Sequence, residues 1–189
     1  MADFLELLKK RRSIRDYENR KVSLEVVMDI LRDSCLAPSS SDNQPWRFII
    51  ITEMGFIKRL SDDSKKTLLA DLERNPNSPS RNYENILRDP NFNVFYNAPC
   101  LVYILGAKGI RTLQVDCALA AAYFMFSASA RGLGTCWIGL GKHLRDPSLI
   151  KEIGLPLGHE IVAPIILGYP KTIPGVPERQ EPQILKIVS

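Results

Sequence analysis

Apolar positions that recur every three or four residues predict a series of helices along the chain. They cover about residues 3–12, 24–37, 53–74, 113–131 and 147–153, with a further short helix near 82–88. Ser23 precedes the second of these as an N-cap, because its hydroxyl can accept a hydrogen bond from the first turn. The segment from 113 to 131 is nearly all apolar and small, which predicts a helix buried on most sides.

Short apolar runs rich in β-branched residues predict the strands. They are WRFIIIT, CLVYILG, TCWIGL and EIVAPIILGYP. Helices separate these runs, and the chain shows no internal repeat and no composition shift that would mark a domain boundary. The pattern therefore predicts one domain over residues 1–189, an α+β or α/β sandwich of sheet and helices.

Two segments do not fit a regular element. Residues 75–97 are rich in Asn, Pro and Ser but also in aromatic residues, which indicates an excursion or lid, or a packed segment of a dimer interface. Residues 171–189 contain several prolines before the β-prone run ILKIV. A strand-forming run after such a tail is expected to pair with a neighbouring chain.

Composition narrows the class of protein. The chain has 45% hydrophobic and 24% charged residues and a net charge of +4, which is too weak a basic bias for a nucleic-acid-binding surface. No apolar run approaches the roughly 20 residues that span a bilayer, and the N-terminus does not resemble a signal peptide. Four cysteines without a C-x-x-C pair, at positions 35, 100, 117 and 136, predict buried thiols in a reducing compartment. We therefore expect a soluble cytoplasmic protein that binds neither nucleic acid nor membrane.

The stretch RRSIR, from Arg11 to Arg15, concentrates positive charge at one point of the chain. Arginine forks and a serine hydroxyl can bind a phosphate monoester. The same residues also suit the negative end of a helix dipole, so a solvated helix end is the alternative. A zinc site is not predicted, because neither His143 nor His159 has a second ligand at helical spacing.

Three further motifs indicate ligand binding mainly when they are considered together with RRSIR. PSSSDNQPW places small residues and amides before a strand, GLGTCWIGL allows a backbone to approach a flat ligand, and IILGYPK leads into a tail that contains Arg179. Taken alone, the glycines are equally explained by a helix C-cap and close packing.

In this order the motifs resemble the nitroreductase family of FMN-dependent oxidoreductases. The matching stretches are RRSIRDYENRKVS, LAPSSSDNQPWRFIIIT, ARGLGTCWIGL and APIILGYPK, about half of the chain. The resemblance implies a mostly antiparallel sheet flanked by helices, in a homodimer whose C-terminal tails cross to the partner's sheet. It also implies FMN at the subunit interface, NAD(P)H as electron donor, and ping-pong hydride transfer through flavin N5 to nitroaromatic, quinone or related small-molecule acceptors.

The resemblance further implies which residues contact the cofactor. Arg11, Arg12, Ser13 and Arg15 would hold the FMN phosphate, and Arg179 would close over it from the tail. Pro38, Ser39, Ser40 and Gln44 would face the flavin from the other subunit. Ile138, Gly139 and Leu140 would run beside the isoalloxazine ring. No side chain is predicted to be catalytic, because the cofactor itself carries the chemistry.

The chain departs from the family pattern at three places. Asp42 stands where the family usually has Asn, Ala122-Tyr123 where it often has Gln-Asn, and Pro177-Glu178-Arg179 where the tail commonly has Lys-x-Arg. Relatives of similar outline carry out reductive dehalogenation, azoline oxidation or flavin destruction, and FMN binding without turnover is a further alternative. The residues do not choose among these reactions.

Overall fold

The described chain is built on one four-stranded sheet. A computed structural model describes residues 4–75 and 77–188 and contains β1 (Arg47–Ile51), β2 (Cys100–Ala107), β3 (Gly134–Trp137) and β4 (His159–Gly168). The strands lie in the order β1-β2-β4-β3, and each neighbouring pair is antiparallel. The predicted α+β class with an antiparallel sheet is confirmed.

The two central strands differ from the edge strand β1 in burial. β2 and β4 are buried along nearly their whole length, which explains why they are continuous apolar runs and not alternating ones. In β1, by contrast, Phe48, Ile49 and Ile50 are only partly buried. Within the described chain the outer edge of β1 pairs with no other strand.

Six helices surround the sheet. They are α1 (Phe4–Lys10), α2 (Leu24–Ser34), α3 (Met54–Arg74), α4 (Glu84–Arg88), α5 (Leu113–Ala130) and α6 (Pro147–Glu152), among the residues described. Ser23 caps α2 as predicted, since its hydroxyl accepts a hydrogen bond from the Val26 N–H at 3.3 Å. Asp146 caps α6 in the same way through the Ser148 N–H at 2.8 Å.

The helices form two layers, one on each face of the sheet. On one face α2 and α5 pack against the sheet through residues such as Ile30, Ala120 and Phe124. On the other face α3 and the residues before β2 pack through Leu60 and Phe95. The sheet is therefore covered on both sides, as burial of both faces of β2 and β4 requires.

The helix α5 is the most apolar helix of the described chain. Its 18 residues meet the length and composition of a membrane span. A core helix of a soluble protein meets the same two criteria, and α5 buries Cys117, Ala120, Ala121 and Phe124 against the sheet and α2.

Two element predictions are corrected. The first helix ends at Lys10 and not at Arg12, and Asp3 lies outside the described residues. The predicted strand TCWIGL ends at Trp137, and Gly139–Lys142 form a 3-10 turn. Within this turn Gly141 packs so closely on the Phe95 ring that a Cβ there would lie 2.3 Å from it.

The cysteine prediction holds for three of four thiols. Cys100, Cys117 and Cys136 are buried, but Cys35 is exposed. Cys35 follows the last turn of α2, where the chain has already left the packed face of the helix.

Residues 171–188 form the C-terminal tail, which has no helix or strand and is exposed throughout. ILKIV therefore forms no strand within this chain, and its pairing with a partner chain stays a prediction.

Candidate functional site

The arginine stretch is held as an extended segment along the outer edge of β3. The Ile14 N–H donates to the Thr135 carbonyl at 2.9 Å, and Ser13 and Thr135 form a parallel bridge. Ile14 is buried, and a Cβ at Gly134 would lie 2.6 Å from its side chain. Gly134 is thus needed for the segment to approach the sheet, which fixes the backbone from which the arginines project.

Arg11 and Arg12 line a small cavity of about 180 Å³ together with Gly134, Thr135 and the start of the tail at Ile173. No acidic side chain lines this cavity among the described residues. Two guanidinium groups without a nearby carboxylate make a site suited to an anion.

The Arg12 guanidinium is the group in this cavity that points most directly to a bound ligand. Its Nη1 donates to the Arg11 carbonyl at 2.7 Å, whereas Nη2 is buried with no hydrogen-bond partner among the described residues. A buried donor without an acceptor costs about 1–3 kcal/mol. A phosphate oxygen would remove that cost, so the residues present fit a phosphate-bearing cofactor.

Arg15 lies apart from Arg11 and Arg12. It lines a second cavity of about 280 Å³, where its guanidinium lies 5.7 Å from the centre of the Tyr96 ring. The structure thus joins Arg11 and Arg12 in one cavity and directs Arg15 to another. Ser13 lies between them beside Cys136, whose thiol pKa is raised by burial against the opposing effects of Arg15 and Ser13.

The cavity at Arg15 is the place where three predicted cofactor contacts meet. Ile138, Gly139 and Leu140 line it, next to Trp137. A Cβ at Gly139 would meet no atom within 4 Å, so packing within this chain does not require glycine there. Gly139 also begins the 3-10 turn, and an N–H at such a position has no partner inside the turn.

A serine and a lysine of α3 hold the walls of this cavity. The Ser64 hydroxyl donates to the Leu140 carbonyl at 2.6 Å. The buried Lys65 donates through Nζ to the Asp89 carbonyl at 2.6 Å and to the Phe92 carbonyl at 2.9 Å. The serine fixes the backbone at Leu140, which lines the cavity, and the lysine fixes the backbone of the 75–97 segment at Asp89 and Phe92. The sequence showed no sign of these contacts because both side chains belong to an ordinary amphipathic helix.

The excursion at residues 75–97 forms one wall of the same cavity. Ser80, Tyr83 and Tyr96 line it, while Val94 and Phe95 are fully buried. The Val94 N–H donates to the Ser61 hydroxyl of α3 at 2.8 Å. The aromatic stretch is therefore packed against α3 and forms one wall of the cavity.

The loop from Pro38 to Gln44 lies away from both cavities. The residues predicted to contact the cofactor there are Pro38, Ser39, Ser40 and Gln44, and none of them lines either cavity. Ser41, Asp42 and Gln44 have positive φ values of 51°, 54° and 43°. Such backbone is costly for residues other than glycine and persists only where the surroundings hold it.

Asp116 of α5 is the residue that holds this loop, and it was not predicted. It is buried, and its carboxylate accepts from the Ser40 N–H at 3.0 Å and from the Thr112 hydroxyl at 2.7 Å. Gln44 closes the loop on itself, since its N–H donates to the Ser39 hydroxyl and its side chain to Asp42. A lone acid in an otherwise apolar helix was the signal in the sequence.

Arg179 is not brought to Arg11 and Arg12 within the chain. It lies in the exposed tail, near only its neighbours in residues 178–183. Its predicted contact with the phosphate stays a prediction for an assembly of two chains.

Comparison with known proteins finds relatives over most of the chain. The chain is 27% identical over 172 residues to an Archaeoglobus fulgidus protein provisionally named NADH dehydrogenase/NAD(P)H nitroreductase, covering 90% of this chain and 87% of that one. It is 26% identical over 169 residues to an iodotyrosine deiodinase of Thermotoga neapolitana, covering 84% and 89%. A crystal structure of a nitroreductase with bound FMN from Bacteroides fragilis has the same fold, with a TM-score of 0.80 at 22% identity over 100% and 98% of the two chains.

The sequence model of the nitroreductase family matches residues 8–169, which include the arginine segment, the loop at Pro38, the turn at Gly139 and all four strands. The chain belongs to the nitroreductase family.

Proposed function

We propose that this chain is an FMN-dependent oxidoreductase that takes electrons from NAD(P)H and passes them to planar, electron-poor acceptors such as nitroaromatics and quinones. The observation that carries the proposal is the Arg12 guanidinium, whose buried Nη2 has no partner among the described residues and lines a cavity without acids. The names of the relatives and the FMN in the Bacteroides fragilis structure support it.

The chain's own residues bind and orient the cofactor in this proposal. Arg11 and Arg12 hold the phosphate, whose charge of about −1.5 to −2 matches two fixed cations. Ile138, Gly139 and Leu140 lie beside the ring, and Arg15 contacts its polar edge from the same cavity. Bound FMN supplies the redox chemistry, which is two-electron transfer between a nicotinamide and an acceptor.

The proposal includes a homodimer, which the exposed apolar side chains on α1 and α5 support. Phe4, Leu5, Val115 and Leu119 are exposed there, with Val115 exposed to 63%. Large exposed apolar side chains on two packed helices support an interaction surface there. The protein is thus expected to be a soluble, cytoplasmic dimer.

The same dimer would complete the cofactor site. The loop from Pro38 to Gln44 is held in shape by Asp116 but contacts neither cavity of its own chain. In the proposal it faces the FMN bound by the partner. The tail crosses to the partner as well, where the outer edge of β1 is the sheet edge that ILKIV can extend.

The test is an absorbance spectrum of the purified protein, followed by anaerobic addition of NADH and then NADPH. An oxidised-flavin spectrum that bleaches with either nucleotide, and recovers on addition of a quinone or nitroaromatic, is the expected result. Bound flavin that stays oxidised with both nucleotides would contradict the nicotinamide-driven reaction. Absence of flavin after incubation with FMN would contradict the proposal altogether.

Reductive dehalogenation is the second candidate, favoured by the match to iodotyrosine deiodinase over 84% of the chain. The same reduced protein separates the two reactions. Release of iodide from 3-iodotyrosine, at a rate above that of quinone reduction, would support dehalogenation over the first proposal.

A further inference from the structure

A larger cavity lies next to the one at Arg15 and is separated from it by a single shared side chain. Its volume is about 710 Å³, and it is enclosed by the end of β2, the residues before and within α6, and the start of β4. His143 lines both cavities. A ligand that binds at Arg15 and extends past His143 would therefore enter this second space, which is called the lysine cavity below.

Three lysines give the lysine cavity its charge. Lys108, Lys142 and Lys151 line it, and none of them forms an ion pair with a residue that the structure describes. Its one acid, Glu160, accepts a hydrogen bond from the Gln114 amide at 3.0 Å instead. Cations that converge on a space without being neutralised favour an anionic ligand.

Apolar side chains form the remaining surface of the lysine cavity. Leu144 and Leu155 are partly buried against the core, and Leu157 is fully exposed beside them. An apolar surface with cations around it suits a ligand that has a flat organic body and a phosphate. The volume lies within the roughly 300–1,000 Å³ typical of small-molecule sites.

The shared residue His143 adds no fixed charge between the two cavities. Burial, and then the neighbouring Lys142, lower the pKa of this half-buried imidazole from its ordinary value of 6.5. It is therefore neutral near pH 7, and the positive charge is confined to the lysines.

We infer that the lysine cavity binds the phosphate-bearing adenosine end of the nicotinamide donor, while the nicotinamide lies in the cavity at Arg15. The inference rests on the proposed function, because it takes NAD(P)H as the donor. A nicotinamide dinucleotide has the two required properties. It is long enough to reach two adjacent spaces, and its phosphates lie beyond the nicotinamide riboside: the diphosphate joins it to the adenosine, and NADPH carries a further phosphate on the adenosine ribose.

The first experiment is kinetic and uses the FMN-loaded protein with Lys142→Gln and Lys151→Gln combined. The expected result is a fall of at least about tenfold in kcat/KM for the nucleotide, with FMN content and the KM for a quinone acceptor unchanged. If kcat/KM falls for NADPH alone, the lysines contact the 2′-phosphate. If kcat/KM falls equally for NADH, they contact the diphosphate. A matched control combines Lys21→Gln with Lys66→Gln, which removes the same charge from exposed positions that line neither cavity.

An equal effect in the control pair, or a raised KM for the acceptor in place of the nucleotide, would overturn the inference.

The second experiment measures binding without turnover, by calorimetry with adenosine 2′,5′-bisphosphate and with adenosine. The bisphosphate is expected to bind at least about tenfold more tightly, and the lysine variant to lose that difference. Equal binding of the two by the wild type would refute the lysine cavity even if NAD(P)H reduces the flavin. Retained bisphosphate binding in a protein that neither nucleotide reduces would instead contradict the proposed function.

Discussion

The arginine segment and the loop from Pro38 to Gln44 were both predicted to contact the cofactor, yet only the arginine segment lines a cavity of its own chain. The arginine segment is hydrogen-bonded along β3 and lines a cavity of its own chain, with Ile14 buried beneath it. The loop is equally well held, through Asp116, but its contacts lead to neither cavity. In our proposal, one chain supplies Arg11 and Arg12 for the phosphate of its own cofactor, and its loop from Pro38 to Gln44 faces the cofactor bound by the partner chain.

The C-terminal tail belongs with the loop in this comparison. Its first residues follow the arginine segment, since Lys171 donates its N–H to the Asp16 carbonyl at 3.0 Å. Beyond that contact the tail is exposed, with Leu185 at 98%. Exposed apolar side chains of this kind mark an interaction surface. In our proposal the partner chain buries those of the tail.

The largest expected effect on FMN binding comes from removing two arginines of the arginine segment. Combining Arg12→Ala with Arg15→Ala should give a folded protein that lacks flavin, with FMN affinity reduced about 1,000-fold, since charge-assisted hydrogen bonds contribute about 1.5–3 kcal/mol each. Flavin fluorescence titration and circular dichroism measure binding and folding separately. The control combines Lys66→Ala with Arg74→Ala on the exposed side of α3 and should keep its flavin. Stoichiometric FMN in the arginine variant would refute the phosphate assignment.

Removal of the C-terminal tail tests whether the tail contributes to the dimer and to FMN binding. A chain that ends before Arg179 should fold, because residues 179–188 are exposed and have no regular structure. Its dimer dissociation constant should rise about 100-fold, as expected for about 3 kcal/mol of lost apolar burial, and FMN affinity should fall with it. Sedimentation over a range of concentrations measures the dimer. Leu185→Asp in the full chain should act in the same direction, and a truncated dimer of unchanged stability would contradict the crossing tail.

Asp116 allows the loop to be perturbed without touching the arginines. Asp116→Ala removes the acceptor for the Ser40 N–H and the Thr112 hydroxyl, and should lower the free energy of unfolding by about 1–2 kcal/mol. FMN affinity of the dimer should fall about tenfold, because the displaced loop no longer presents its backbone to the partner's site. Urea unfolding and FMN titration provide the two readings.

Asp116→Asn is the matched variant, since its amide oxygen can still accept from the Ser40 N–H. It should recover most of the stability and of the FMN affinity. If alanine lowers stability but leaves FMN binding unchanged, the loop does not contribute to the cofactor site.

The smallest expected effect concerns Asp33 on α2, the helix that leads into the loop. The Ser127 hydroxyl, followed by Arg131, lowers the pKa of this carboxyl below its ordinary 3.8. A lowered folded-state pKa gives stability that is present above the unfolded value and is lost as the pH falls through the folded one. The carboxylate is 40% exposed, so screening limits its contribution to about 0.5 kcal/mol.

Asp33→Asn should therefore be less stable than wild type by about 0.5 kcal/mol at pH 6, with the difference vanishing as the pH falls from about 5 to 2. Thermal unfolding across this range measures it. Asp29→Asn serves as the control, because Asp29 pairs only with the exposed Arg32 one turn along the same helix. A difference that is independent of pH would mean that packing, and not ionisation, accounts for the effect of Asp33.

Most of the fold was predictable because local patterns agree with tertiary burial. Residues 113–130 are apolar on nearly every side and form the helix that packs against the sheet. The apolar runs CLVYILG and EIVAPIILG are the central strands, since a strand buried on both faces has no polar alternation. The strand prediction failed at IGL of TCWIGL, where the chain turns and Gly141 packs on the ring of Phe95, a residue distant in sequence.

The sequence by itself determined the chemistry available at the site: clustered arginines, a small-residue loop and a glycine turn, whose order identified the family. Only the tertiary structure decided how those groups are divided. It separated Arg15 from Arg11 and Arg12, turned the loop at Pro38 away from both cavities, and brought Asp116, Ser64 and Lys65 to the backbone they hold. Residue type limits which bonds a side chain can form, but the partner in each of these contacts is 24 to 76 residues away and is reached only when helices pack on the sheet.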